Sequence, residues 1–74
     1  MSITRLDLAG LKCPLPVLKA RKALARMAKG DELHIICTDP MAAIDIPNLL
    51  RETGDHLARQ DRVEMQLIFE IEKR

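Results

Sequence analysis

Aromatic residues are almost absent from this chain of 74 residues, which contains one Phe and neither Trp nor Tyr. Nucleic-acid modules that stack bases on aromatic side chains are therefore disfavoured. Serine is just as scarce, because Ser2 is the only one and lies beside the N-terminus. This scarcity excludes a hydrolase that would depend on a Ser-His-Asp triad.

Long apolar runs are also missing, since the longest uninterrupted one has four residues, Met41 to Ile44. No segment is therefore predicted to cross a membrane. The first residues lack the basic region and apolar stretch of a secretory signal, so we expect a cytoplasmic protein. In that reducing compartment, the two cysteines are expected to be free thiols.

The composition is that of one small folded domain spanning residues 1–74. Apolar residues make up 47% of the chain and charged residues 31%, which is typical of globular rather than disordered proteins. A domain of this size has no room for a deep cofactor pocket. We therefore expect no cofactor, and nothing in the sequence requires more than a monomer.

Charge is divided unevenly along the chain, although the formal net charge is only +1. Residues 1–30 carry seven basic side chains and one acidic one, whereas residues 31–74 carry five basic and ten acidic ones. Four of the basic residues fall on the polar side of the first predicted helix: Lys19, Lys22, Arg26 and Lys29. Such a face is either simply solvated or a docking surface for an acidic protein partner.

The apolar pattern predicts six elements in the order βαβαββ. They are strands over residues 3–8, 32–38, 56–60 and 63–72 and helices over 14–29 and 40–53, with a turn at Asp61-Arg62. Pro47 predicts a kink or a late start in the second helix, with Asp45 as a second capping candidate. A parallel βαβ start predicts a two-layer α/β sandwich, with both helices on one face of a mixed four-stranded sheet.

The strongest sign of chemistry is Cys13, at the predicted N-cap of the first helix in Lys12-Cys13-Pro14-Leu15-Pro16. Free N–H groups and the positive dipole end of a helix favour thiolate over thiol, and Lys12 adds positive potential. Pro14 and Pro16 stiffen the loop and hold the sulfur at an exposed edge. We therefore expect an ionised, accessible thiol, although a buried cysteine at a helix cap also fits this position.

The predicted topology places other polar residues near this thiol. Cys13 follows the first strand and Asp39 follows the second, so both fall at the edge where α/β sites collect. Asp39 is equally well explained as the N-cap of the second helix. Arg21 falls within the apolar arc of the first helix, where its stem covers the core or its guanidinium faces an anion.

The second cysteine fits the core rather than the site. Cys37 shares a strand face with Leu33 and Ile35, which favours a small buried residue over a resolving thiol. Position 16 is Pro rather than Cys, which removes the second half of a Cys-x-x-Cys oxidoreductase mechanism. No His or Cys pair has the spacing of a zinc site, so no metal is expected.

Several motifs occur in order along the chain: Leu-Ala-Gly-Leu-Lys-Cys-Pro-Leu-Pro over residues 8–16, Arg21-Lys22, Gly30-Asp31, Asp39-Pro40 and Asp45-Ile46-Pro47. Together they resemble the TusA-like (SirA/YedF) sulfur-carrier family over nearly the whole chain. The resemblance implies a βαβαββ fold similar to the C-terminal domain of translation initiation factor three. It also implies that Cys13 carries sulfur as a persulfide, with Arg21 and Asp39 near it.

Members of that family take sulfur from a cysteine desulfurase or a rhodanese-type donor. They pass it to acceptors in tRNA thiolation, molybdenum-cofactor maturation or sulfur oxidation. Leu15 stands where some members of the tRNA pathway have an acidic residue, so the resemblance does not imply a particular pathway. Cys37 is not part of the family pattern.

The leading hypothesis is thus a sulfurtransferase-like carrier that relays sulfur from a donor protein to an acceptor protein through Cys13. An alternative from another class is a thiol redox sensor or regulatory binding module that uses Cys13 and Cys37. A third, a nucleic-acid-binding module, rests on the basic helix and the fold analogy alone, so direct nucleic-acid binding is not expected.

Overall fold

A computed structural model describes residues 2–74 of the chain. The elements follow in the predicted order: β1 (Ile3–Leu8), α1 (Leu15–Ala25), β2 (Glu32–Cys37), α2 (Ala42–Thr53), β3 (His56–Val63) and β4 (Gln66–Glu72). The strands form a four-stranded sheet in the order β1-β2-β4-β3. β1 and β2 are parallel and the other neighbours are antiparallel, so the sheet is mixed, as predicted. Within these residues, neither helix has the length and hydropathy needed to cross a bilayer.

The core lies between the two helices and one face of the sheet. In β2, Leu33, Ile35 and Cys37 are fully buried, because alternate side chains of a strand point to the same face. This confirms the predicted core residues of that strand. The remaining core residues lie at the end of β1, on one face of β4, and on the sides of α1 and α2 that face the sheet. They are Leu8, Ala20, Leu24, Ala42, Ile46, Leu49, Leu50, Leu67, Phe69 and Ile71.

The parallel pairing of β1 and β2 sets the position of the site. α1 follows β1 and α2 follows β2, so both helices begin at the same edge of the sheet. The helices also pack against each other. The loop after β1 and the loop after β2 therefore meet at one rim, as the topology predicts.

α1 is shorter than the predicted helix over residues 14–29, because it ends at Ala25. The Arg26 N–H bonds to the carbonyl three residues back at 3.1 Å, which tightens the last turn. The Asp31 carboxylate then accepts the Ala28 N–H at 3.0 Å and holds the chain in a turn before β2. The helix therefore ends earlier than the apolar pattern predicts, and the residues after it form a turn held by Asp31.

α2 covers Ala42–Thr53, so the predicted start at residue 40 is two residues too early. Asp39 is not its N-cap, because the Asp39 carboxylate accepts the N–H of Met41, ahead of the first helical residue, at 3.1 Å. Asp45 is not a later cap either, since it lies in the first turn of a helix that continues through Pro47. The Asp45 carboxylate instead takes part in the candidate site.

The hairpin between β3 and β4 turns later than predicted. The turn comes at Glu64-Met65 instead of residues 61–62, so β3 extends to Val63 and β4 begins at Gln66. Glu64 adopts a φ of 56°, the left-handed conformation typical of tight hairpin turns. In the sequence, Val63 and Met65 alternate with the apolar residues of β4, which predicts burial, but at the hairpin both side chains are exposed.

Candidate functional site

Cys13 lies in the loop between β1 and α1 and is exposed to solvent. α1 begins at Leu15 with Pro14 at its N-cap, so Cys13 stands one residue before the cap instead of at the cap, where the sequence predicts it. The Leu15 N–H bonds back to the Lys12 carbonyl at 2.9 Å and closes the turn that carries the cysteine. The Cys13–Pro14 peptide bond is cis. The predicted accessibility of this thiol is confirmed, whereas its predicted place at the helix cap is wrong by one residue.

Asp39 fixes the backbone beside the cysteine. Its Oδ2 accepts the Cys13 N–H at 2.6 Å and its Oδ1 accepts the Met41 N–H at 3.1 Å. One carboxylate therefore joins the loop after β1 to the loop after β2. These two hydrogen bonds, helped by the positive charge of Lys12, hold the pKa of Asp39 below its ordinary value.

The Cys13 thiol has a carboxylate partner of its own, because its Sγ donates to Oδ2 of Asp45 at 3.2 Å. This hydrogen bond raises the pKa of Cys13, and desolvation and the negative charges of Asp45 and Asp39 act in the same direction. The prediction of an ionised thiolate is therefore wrong for the resting protein. The two carboxylates that disfavour the thiolate come from 26 and 32 residues away in sequence.

A shallow open groove of about 270 Å³ extends from Cys13 between the two helices. The α2 side presents residues three or four positions apart, which share one helical face: Asp45, Asn48, Leu49 and Glu52. The α1 side presents Cys13, Pro14, Val17 and Arg21. Arg21 and Glu52 lie across the groove from each other, where Nη2 of the arginine donates to Oε2 of the glutamate at 2.8 Å. The thiol thus opens onto a surface groove with an apolar lining and charged side chains from both helices.

The other residues predicted for the site are spread over several places. Pro14 and Arg21 line the groove, Lys12 is exposed beside Cys13, and Pro16 is buried in the first turn of α1. The basic residues predicted to dock a partner lie on and after α1. Lys19, Lys22 and Arg26 border a second shallow depression on this helix, and Lys29 follows in the turn before β2.

Sequence reasoning missed the α2 side of the groove. Asp45 was expected only as a capping candidate, and Asn48 and Glu52 were not singled out. The signal that could have found them is their spacing of three and four positions, which places them on one face of α2. Because both helices begin at one rim, that face was available to meet Arg21 and Cys13.

Cys37 differs from Cys13 in every respect that matters for reaction with a partner. It is completely buried in the core, at the end of β2. Burial, together with the charge of Asp39, raises its pKa to about 11. A thiol that is both inaccessible and protonated is a poor resolving nucleophile, so the structure does not favour the redox-sensor alternative. Within residues 2–74, the His, Cys, Asp and Glu side chains form no cluster of three suited to hold a metal ion.

Comparison with known proteins gives matches along nearly the whole chain. The family model described as sulfurtransferase TusA matches residues 4–73. The chain belongs to the TusA family. It is 40% identical over 68 residues to the sulfur carrier protein TusA of Allochromatium vinosum, a match that covers 92% of this chain and 90% of that protein.

Other relatives point to the same family. The chain is 50% identical over 54 residues to a protein of Neisseria meningitidis serogroup A named as a "putative sulfur carrier protein", a match that covers 73% of each chain. A protein of Archaeoglobus fulgidus with the same description is 38% identical over 60 residues, 81% of this chain and 78% of that protein. The resemblance derived from the motifs is confirmed, and TusA-family membership supports a sulfur-carrier role.

Proposed function

We propose that this protein carries sulfane sulfur as a persulfide on Cys13. The proposal rests on an exposed thiol at an open groove, in a chain of the TusA family whose relatives include proteins named as sulfur carriers. An open rim lets two large proteins reach the same sulfur in turn. It does not enclose a small molecule, which is what a pocket for free substrates would have to do.

The proposed relay moves one sulfur atom without net oxidation. The Cys13 sulfur attacks the outer sulfur of a donor persulfide, a new S–S bond forms, and the donor leaves as a thiol. An acceptor then takes the outer sulfur from Cys13, which returns to the thiol state. Each step uses one cysteine of this chain, which is compatible with a buried Cys37. Because Cys13 must start as a free thiol, the relay belongs in a reducing compartment such as the cytoplasm.

The partners in this proposal are two proteins, a cysteine desulfurase or rhodanese-type donor and a sulfur acceptor. The basic side chains on and just after α1, which include Lys19, Lys22 and Arg26, would attract an acidic surface on such a partner. Exposed apolar side chains lie near the first turns of both helices and add contact area beside the thiol: Leu15, Leu18, Met41 and Ile44. A partner with an acidic rim around its reactive sulfur would fit this end of the molecule.

Sulfur loading tests the proposal directly. The protein is incubated with a cysteine desulfurase and cysteine, and its intact mass is measured before and after reduction. We expect one added sulfur atom, removable by reductant, on the wild type and on Cys37→Ser but not on Cys13→Ser. An adduct that persists in Cys13→Ser, or no adduct on the wild type, would contradict the proposal.

The docking face is tested by a pair of charge reversals. Lys22→Glu changes the basic side of α1. Arg5→Glu makes a comparable change on β1, where Arg5 alternates with the core-facing Leu6 and Leu8 and so lies on the opposite face of the sheet. We expect the first variant to slow loading by the desulfurase several-fold at low salt, with the difference shrinking as salt is added. Equal loading rates for the two variants at low salt would show that this face does not dock the donor.

A further inference from the structure

A thiol must give up its proton for its sulfur to attack, and the proton of Cys13 is directed at a carboxylate. The Cys13 Sγ donates to Oδ2 of Asp45 across 3.2 Å, with the two residues on opposite sides of the same groove. Asp45 lies in the first turn of α2, so its carboxylate is carried by a regular element rather than by a loop. A donor sulfur that enters the groove to meet Cys13 therefore also meets this carboxylate.

The other charged groups around the groove have different partners. Both oxygens of Asp39 accept backbone N–H groups, from Cys13 and from Met41. Glu52 is paired with Arg21 at 2.8 Å. The carboxylate that contacts the reacting sulfur is that of Asp45.

We infer that Asp45 is a catalytic residue of the sulfur transfer, which takes the thiol proton of Cys13 during the attack and returns it to the departing sulfur of the donor. This inference rests on the proposed function, since it describes the proton in the same transfer. It assigns to Asp45 a role in chemistry, beyond holding the loop or stabilising the start of α2.

The step balances in atoms and electrons. The Cys13 sulfur forms a bond to the outer sulfur of the donor persulfide as its proton moves to Oδ2 of Asp45. The S–S bond of the donor breaks, and its electron pair stays on the donor sulfur. Asp45 then gives the proton to that sulfur, so the products are a Cys13 persulfide, a donor thiol and an unchanged carboxylate. No oxidant or reductant is needed.

Removing the Asp45 carboxylate should change two reactions of Cys13 in opposite directions. Alkylation by iodoacetamide needs only the thiolate, which the Asp45 carboxylate disfavours. Sulfur transfer also needs the proton to be carried from one sulfur to the other. If Asp45 only disfavoured the thiolate through its hydrogen bond and negative charge, it would slow both reactions. Its removal would then accelerate both.

The test compares Asp45→Asn with the wild type at neutral pH, using glutathione persulfide as the donor and intact mass as the readout. We expect sulfur loading to slow by roughly 10²-fold, the lower end of typical acid–base catalysis, while iodoacetamide alkylation of Cys13 becomes faster. Asp61→Asn is the control, because it makes the same chemical change on β3, where Asp61 pairs with Arg59 instead of a cysteine. Both rates of this control should match the wild type.

Loading that stays equal to the wild type, or that accelerates together with alkylation, would overturn the role of Asp45. Asp45→Ala provides a second variant if the asparagine disturbs folding, since alanine favours the helix and also removes the carboxylate. Failure of the proposed function looks different, because the wild type itself would then take no sulfur onto Cys13.

Discussion

The two cysteines of this protein are both protonated at rest, but for different physical reasons. The pKa of Cys37 rises to about 11 because the residue is buried in the core. The pKa of Cys13 rises because its thiol donates a hydrogen bond to Asp45, although the residue is exposed. Burial makes the Cys37 thiol unreactive. The Cys13 thiol is protonated because it is hydrogen-bonded to Asp45, and a reacting molecule can reach that carboxylate.

Accessibility and ionisation are therefore separate requirements for a reactive cysteine. A helix N-terminus and a neighbouring lysine predict that Cys13 is reactive because it is a thiolate. The structure gives it exposure and a carboxylate partner instead. Reactivity toward a protein donor then depends on how the proton is moved at the moment of transfer, rather than on a standing negative charge.

The largest expected contrast is in alkylation of the native protein. Iodoacetamide should modify Cys13 at least about 10³-fold faster than Cys37, because the buried thiol reacts only when the core opens. Peptide mass spectrometry after a short pulse measures both sites in one sample. Comparable modification of the two cysteines would contradict the difference between an exposed Cys13 and a buried Cys37.

A smaller contrast is expected in stability. Cys37→Ser places a hydroxyl in the apolar core and should lower the free energy of unfolding by about 1–3 kcal/mol. Cys13→Ser should stay within about 0.5 kcal/mol of the wild type, since the site is exposed and a hydroxyl can still donate to Asp45. Urea denaturation of the two variants measures the difference. If Cys13→Ser were the more damaging change, the assignment of the core and rim cysteines would be reversed.

The sequence predicts which side chains form the core better than it predicts where each strand and helix ends. Leu33, Ile35 and Cys37 alternate so regularly that their burial follows from the strand period alone. The turn at Glu64 does not follow from that period, because the apolar alternation continues through Val63 and Met65 into β4. Its position depends on the pairing of β3 with β4, which is a property of the assembled sheet.

The candidate site shows the same limit. The loop that carries Cys13 and its closeness to Asp39 follow from the order of elements and the parallel pairing of β1 with β2. The protonation of Cys13 does not, because it is decided by Asp45, which only the packing of α2 against α1 brings to the sulfur. The residues next to Cys13 in sequence include Lys12 and the start of α1. They do not indicate that the Asp45 carboxylate of α2 contacts the sulfur.

We expect the smallest effect in the contribution of Asp39 to stability at low pH. Its pKa is lowered in the folded state by the N–H groups of Cys13 and Met41, so its contribution to stability is present above the unfolded pKa. That contribution is lost as the pH falls below about 4 and through the lower folded value. Thermal unfolding between pH 6 and pH 2 should therefore show a shallower acid loss for Asp39→Asn than for the wild type. An identical pH dependence in the two proteins would indicate that these two hydrogen bonds do not hold the rim together.

The exposed thiol of Cys13 donates a hydrogen bond to the carboxylate of Asp45. The pH dependence of the Cys13 alkylation rate in the wild-type protein shows whether this hydrogen bond sets the pKa of the thiol. We expect a midpoint above that of an ordinary cysteine thiol, which moves down when Asp45 is replaced by Asn. A wild-type midpoint below the ordinary value, unchanged in the variant, would show that the helix dipole and Lys12 govern the sulfur after all.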